Sequence, residues 1–360
     1  MRASTLLAVG VAGAVAVAAV VSGVRGGGDD DSPAAPTAAA TTATATAPVT
    51  TGEEFPVGDL RRLAPPAAGA YDGDLLLFDA LSCEPTKIAL ATLADEQTTA
   101  PASCLVWSSP GGTAFAHVEP ANLEEVWVGS SPEELGTDTG LTFSPGTRNG
   151  ALTVTDDGTV AVCDGERVRV SHDGRVQTLR TFTNDGQFDE RCITGALGAS
   201  VIQLAADRRS LVDLRTRKVV RRLAERVERP LVGLVASSDG LVMAIDINDG
   251  TPSGVVFGAD GGVLVPRQPL GTSSRFRKLL LARGGGAIAM LTSRGWQVTN
   301  LTTGLNISTP GGAQITDVAF SARGDEFAAT TQVGVLLAAV PGLEPKALLP
   351  GRYQALVWLP

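Results

Sequence analysis

LVASSDGLVMAI at residues 234–245 and VAFSARGDEFAA at 318–329 carry one phrase: an apolar strand, a polar turn that ends in glycine, and a second apolar strand rich in Ala. The phrase recurs as LVWSSPGGTAFA (105–116), LTVTDDGTVAV (152–162) and LLARGGGAIAML (280–291), with weaker copies in ITGALGASVIQL (193–204) and AYDGDLLLF (70–78). Its turn glycines, read as Gly73, Gly111, Gly158, Gly198, Gly240, Gly285 and Gly324, follow one another at intervals of 38 to 47 residues. A period near ~40–45 residues is that of a four-stranded propeller blade. Between the phrases lie further period-two strands such as ERVRVSHDGRVQTL (166–179), where Asp173-Gly174 marks a hairpin turn. Helical periodicity is nearly absent beyond residue 24, which argues against βαβ folds and helical solenoids.

The first unit, around Tyr71-Asp72-Gly73, has only a weak innermost strand, whereas the chain finishes with ALVWLP at 355–360. Trp358 holds the place that Trp107, Phe320 and Leu281 hold in other units. The last strand is therefore expected to supply the missing strand of the first blade. Closure of this kind predicts an all-β propeller of seven four-stranded antiparallel blades over residues 55–360.

The phrases WSSPGGTAFA, FSARGDEFAA and ASSDGLVMAI resemble the strand-turn-strand signature of WD40-like and TolB-like bacterial β-propellers, and the resemblance covers nearly all of residues 70–360. The Gly-His and Trp-Asp dipeptides of true WD40 blades are missing. The resemblance implies a protein-binding or ligand-binding platform, and a fold by itself does not fix function.

Ahead of this domain, residues 6–24 form an uncharged apolar run, LLAVGVAGAVAVAAVVSGV. As a helix at ~1.5 Å per residue it would span about 28 Å, enough to cross a bilayer core. Arg2 precedes it and Asp29, Asp30 and Asp31 follow, so residues 1–5 are expected in the cytoplasm and the remainder outside. The run is longer than a typical signal-peptide core, which favours an uncleaved anchor; AVA at 14–16 and 16–18 leaves a cleaved, secreted form as the alternative. Residues 25–54, rich in Ala, Thr, Pro and Gly, read as a disordered tether. The expected setting is a single-pass membrane protein with its propeller on the extracytoplasmic side.

Four cysteines in an exported chain suggest two disulfides, and three pairings are possible. In the blade register Cys83 and Cys163 each end a second strand, while Cys104 and Cys192 each open the next blade's first strand. These positions share one rim, so the expected bridges are Cys83–Cys104 and Cys163–Cys192. The spacing offers no zinc site.

With 29 Lys+Arg against 38 Asp+Glu, the net charge is −9, which argues against nucleic acid as a partner. The charge is uneven. Residues 207–229 hold nine basic side chains against four acidic, a +5 strip on a body of −14. Arg215, Arg217, Lys218, Arg221, Arg222 and Arg226 of this strip are the candidate contact for an acidic protein or an anionic envelope component; alternatively, they guard an outer strand against pairing with other chains. No catalytic or cofactor motif occurs, and no cofactor is expected. Ser171-His172-Asp173 are consecutive residues that cannot converge on one atom, and His117 is expected to be a buried or rim histidine satisfied by hydrogen bonds. Asp185, Asp189 and Glu190 form a weak candidate ligand loop on the cysteine rim. These features favour a non-catalytic binding or scaffold module tethered at the membrane. A propeller-type hydrolase or lactonase with its site in the central channel is the alternative, as is a sugar-binding propeller, which the scarcity of aromatics weakens.

Overall fold

A computed structural model describes residues 60–360 apart from 104, 119–123, 135, 144–151, 165–166, 181–191, 229, 249, 272–275, 293–294 and 308–313. The expected anchor, the tether and the start of the domain at residue 55 lie outside the described residues. Among the described residues no helix is long and apolar enough to cross a membrane. The strands form seven four-stranded antiparallel sheets. The chain is a seven-bladed β-propeller.

Blades 2 to 7 each use four consecutive strands, lettered a to d from the channel outward. Their a strands are Val106–Ser108, Leu152–Val154, Gly195–Leu197, Leu231–Ala236, Phe276–Leu281 and Ile315–Phe320. Blade 1 draws strand a from the far end of the chain. Tyr353–Leu359 pairs antiparallel with Asp74–Asp79, Leu75 opposite Trp358 and Leu77 opposite Leu356, and Pro85–Ala89 and Ala94–Glu96 complete the sheet. The closure expected from ALVWLP is thus present. Trp358 fastens it: its indole N–H donates to the Asp72 carbonyl at 2.9 Å, and its ring meets Tyr71 edge-on at 6.4 Å.

Period-two strands explain where the core lies. Each strand sends alternate side chains to opposite faces, and in a ring of blades both faces are covered. Leu75 and Leu77 pack against blade 7, while Leu76 and Phe78 pack against blade 2. The apolar interior is accordingly divided into seven clusters, one at each blade-to-blade interface. Burying both faces also accounts for continuous apolar strands such as DLLLF and LLLAR, where a one-sided sheet would alternate.

The a–b turns share one geometry. In blades 2, 3, 5, 6 and 7 a glycine N–H donates to the carbonyl three residues back, as Gly240 does to Ser237 at 3.0 Å. Six of the seven turn glycines expected from sequence have positive φ; in blade 2 that residue is Gly112 (φ 67), and Gly111 is the correction. Gly111 has a different task, donating its N–H to the Asp156 carboxylate of blade 3 at 2.7 Å.

Cys163 and Cys192 are bridged as expected, 29 residues apart, and both sulfurs sit in the cluster between blades 3 and 4. Closing a loop of this length contributes roughly 3–4 kcal/mol in the chain-entropy view. Cys83 is also disulfide-bonded. Its expected partner, Cys104, lies outside the described residues, while the neighbouring Ser103 N–H donates to the Cys83 carbonyl at 3.1 Å. Cys83 itself occupies the b–c turn just beyond strand b, which ends at Asp79.

Two glycines with similar φ separate closure from local turn preference. At Gly73 (φ 85) an added Cβ would lie 2.1 Å from the Leu359 carbonyl of the closing strand, whereas at Gly304 (φ 72) nothing lies within 4 Å. Gly304→Ala should cost about 1 kcal/mol from backbone conformation alone. Gly73→Ala should lose about 1–3 kcal/mol more, from the clash. Urea unfolding midpoints of the two variants, compared with the unmodified chain, check the difference.

Candidate functional site

The a strands surround a central channel with a cavity of about 400 Å³. Its wall is largely aliphatic and aromatic, with Trp107, Phe320 and Trp358 among the lining residues. The sugar-binding and enzymatic readings both concern this channel. The described lining contains three basic side chains, Arg277, Lys278 and Arg283, and no acidic side chain or histidine.

Lys278 spans the channel. It starts on strand a of blade 6, and its ammonium donates to the Val106 carbonyl on strand a of blade 2 at 3.1 Å. In a ring of seven no two blades are more than three steps apart, so the side chain crosses to the far wall. Asp317 of blade 7 receives the same ammonium on Oδ1 at 3.1 Å, and its Oδ2 accepts the Leu356 N–H of blade 1 at 3.2 Å. The Trp107 and Trp296 ring centroids lie 5.8 and 5.5 Å from the Lys278 nitrogen. This brace ties blades 6, 7, 1 and 2 together through a pair whose side chains are only 11 % and 8 % exposed. Removing one member of such a buried pair leaves an uncompensated charge, so the two groups stabilise only together.

The brace was not identified from sequence, although it left a trace. Lys278 and Asp317 each stand seven residues before their turn glycines, Gly285 and Gly324. A Lys and an Asp at equivalent places of two consecutive blades, within otherwise apolar strands, is the pattern of a cross-channel pair.

The turns of the a–b rim are linked from blade to blade, and the linking consumes acids. Asp156 holds the Gly111 N–H, Asp239 accepts the Gly284 N–H at 2.9 Å, and Asp72 pairs with Arg323. Arg277 and Arg283 have no partner among the described residues. Toward blade 1 the rim is more acidic, and burial raises the Glu326 carboxyl above its usual range, with Asp325 and Asp72 adding to the effect.

On blade 4 the basic strip divides by role. Arg215 turns inward to blade 3, donating to Thr159 Oγ1 at 2.6 Å and pairing with Asp157 at 3.5 Å. Burial alone would raise Asp157, but hydrogen bonds from Thr155 and Thr159, with the charge of Arg215, hold its carboxyl below the usual range. Arg221 reaches blade 5 and donates to the Gly240 carbonyl at 2.6 Å; burial lowers its guanidinium pKa. Both arginines are therefore interblade links. Arg217, Lys218, Arg222 and Arg226 remain exposed. Strand d of this blade, Val219–Arg222, also exposes Val219 and Val220, at 49 % and 40 %.

Among the remaining sequence candidates, the described Ser171, His172 and Asp173 do not converge on one atom. Asp185, Asp189 and Glu190 lie outside the described residues. His172 Nδ1 is 2.8 Å from Thr159 Oγ1, while strand alternation directs Ser171 to the opposite face, where it is buried. Asp173 and Gly174 both have positive φ (49 and 69), as a tight hairpin requires. Among the described residues no group of three His, Cys, Asp or Glu side chains could hold a metal ion.

His117 departs from expectation. It is fully buried on strand b of blade 2, Phe115–Val118, opposite Trp127, yet neither ring nitrogen has a hydrogen-bond partner among the described residues. Burial lowers its pKa from 6.5 to about 4.

No family model matches the chain, and no curated protein matches it. Among solved structures it is similar to the hydrazine synthase of Kuenenia stuttgartiensis, at 16 % identity and a TM-score of 0.38, over 69 % of this chain and 79 % of that one. It is also similar to a eukaryotic initiation factor, at 12 % identity and a TM-score of 0.40, over 80 % and 76 % of the two chains. At these values neither likeness bears on function.

The buried histidine sets an acid limit on stability. Between pH 6.5 and about 4 the unfolded chain binds a proton that the folded His117 refuses. Stability from this site is therefore complete above pH 6.5 and declines as pH falls, by on the order of 3 kcal/mol once pH is below the folded value. His117→Phe should flatten that part of the curve, measured as urea-unfolding free energy at pH 7 and pH 4.5.

Proposed function

We propose that this protein is an exported propeller, held at the cell membrane by residues 6–24, that serves as a non-catalytic binding module for an acidic protein or an anionic envelope component. The observation that carries this reading is the outer edge of blade 4. Once Arg215 and Arg221 are committed to neighbouring blades, Lys218, Arg222 and Arg226 remain on the surface around a short edge strand with two exposed valines. An exposed strand edge combines unpaired backbone groups with, here, clustered positive charge and apolar contact area. On a chain of net charge −9 this edge is the natural meeting place for an anionic surface.

The other features agree. The buried Cys163–Cys192 bridge suits an oxidising compartment outside the cytoplasm. A hydrolase or lactonase would require carboxylates, amides or histidines converging in the channel, and the described lining offers three cations instead.

Poly-glutamate is a suitable probe, with the full chain held in zwitterionic nanodiscs. It should bind at low ionic strength and weaken at about 0.5 M salt, where charges are screened within a few ångströms. The triple variant Lys218→Glu, Arg222→Glu, Arg226→Glu should lose at least tenfold in affinity. Equal binding by the variant would remove blade 4 from the account.

A further inference from the structure

We infer that the outer edges of blades 4 and 5 together dock on the surface of an anionic lipid bilayer, their aliphatic side chains entering the headgroup layer and their cations meeting its phosphates. This rests on the blade 4 reading and names its partner. Six large apolar side chains are exposed among the described residues, and four of them stand on these two outer strands: Val219 and Val220 on blade 4, Val263 and Leu264 on blade 5. The two strands belong to one face. The Ala224 N–H donates to the Gly261 carbonyl at 2.8 Å, and a Cβ added at Gly261 would lie 1.9 Å from the Arg222 carbonyl oxygen. The blade 5 turn that leads into Val263 therefore sits against the end of Val219–Arg222. Arg221 crosses the same seam to the Gly240 and Gly258 carbonyls.

Charge and backbone chemistry select the partner. Residues 207–229 carry +5 with their four acids counted, and Asp260, the acid that faces Arg221 from the blade 5 turn, still leaves the face at +4. Arg267 of the blade 5 strand adds nothing, because it pairs with the buried Asp246. Across the ring the sign is opposite: residues 60–150, which build blades 1 and 2 apart from the closing strand, hold four basic side chains against twelve acidic. A negatively charged plane attracts one side of such a molecule and repels the other. The edges themselves are poor templates for a partner strand. Val219–Arg222 is only four residues long, and in Val263–Pro269 two of seven residues, Pro266 and Pro269, offer no N–H. A soluble polyanion would use the cations and leave the aliphatic side chains in water. A bilayer surface uses both, since interfacial binding combines buried apolar area with attraction to anionic headgroups. The proposed tether keeps the propeller near one leaflet, so a contact that is weak on its own is sustained.

Quenching of an indole by brominated lipid acts at short range and reads the contact directly. Leu264→Trp and Val219→Trp each place an indole on the face, while Leu81→Trp places one at the 90 % exposed Leu81 of blade 1. Each full-length variant is held in nanodiscs of brominated phosphatidylcholine, with or without brominated phosphatidylglycerol, and the signal of the unmodified chain is subtracted. Phosphatidylglycerol should increase quenching at Leu264→Trp and Val219→Trp at least threefold more than at Leu81→Trp. The increase should vanish at about 0.5 M salt, and also when Lys218→Glu, Arg222→Glu and Arg226→Glu are added to Leu264→Trp. Poly-glutamate binding to blade 4 without lipid-dependent quenching would overturn the bilayer contact and leave the blade 4 reading in place; absence of both would overturn that reading as well. Equal quenching at Leu81→Trp, quenching that does not depend on phosphatidylglycerol, or an increase that survives the three charge reversals would also overturn the bilayer contact.

Discussion

The pairing of Tyr353–Leu359 with Asp74–Asp79 is the constraint on which the rest of the molecule depends. Each blade is a sheet with two apolar faces, and such a sheet is stable only when both are covered. Blades 2 to 6 have a neighbour on either side by virtue of chain order. Blades 1 and 7 meet only because the last strand is built into the first sheet, covering Leu75 and Leu77 with Leu337, Leu349 and Leu356. Without that strand the apolar faces of two blades are left open, together with the backbone edge of Asp74–Asp79. Closure is thus cooperative and noncovalent. The rim contacts reinforce it, since the a–b turn of each linked blade holds a backbone group or side chain of the next.

Closing the ring also creates the channel, because seven inner strands then present free edges to one axis. A channel of this kind has no chemistry of its own until side chains enter it. Here the entering group is Lys278, which spans from blade 6 to blade 2 and is neutralised by Asp317 on the way. The brace contributes to rigidity, and it leaves Arg277 and Arg283 as the lining cations with no partner among the described residues. The same division between structural and available charge recurs on blade 4, where Arg215 and Arg221 join blades while Lys218, Arg222 and Arg226 face solvent.

The architecture was legible in the sequence because a propeller repeats itself. One phrase, with glycine at a turn that needs positive φ, recurs seven times, and the surplus strand at 353–359 completes the first unit. Gly111 was misassigned because SSPGGT offers two adjacent glycines, and only the contact with Asp156 distinguishes their tasks. Which arginines join neighbouring blades was not legible. Nothing in the string DLRTRK marks Arg215, and only the proximity of Thr159 and Asp157 makes it an interblade link. His117 escaped for a similar reason: its burial could be read from the apolar strand around it, but its lack of a partner depends on what the adjoining blade brings to it.

The most direct test of the closed ring is to remove residues 353–360 and follow urea unfolding by tryptophan fluorescence and circular dichroism together. If closure is the governing constraint, the intact chain unfolds in one transition common to both probes. The shortened chain should then show no such transition under the same conditions, with recovery when the eight-residue segment is supplied as a peptide. An unchanged midpoint and unchanged coincidence of the two probes in the shortened chain would contradict the account.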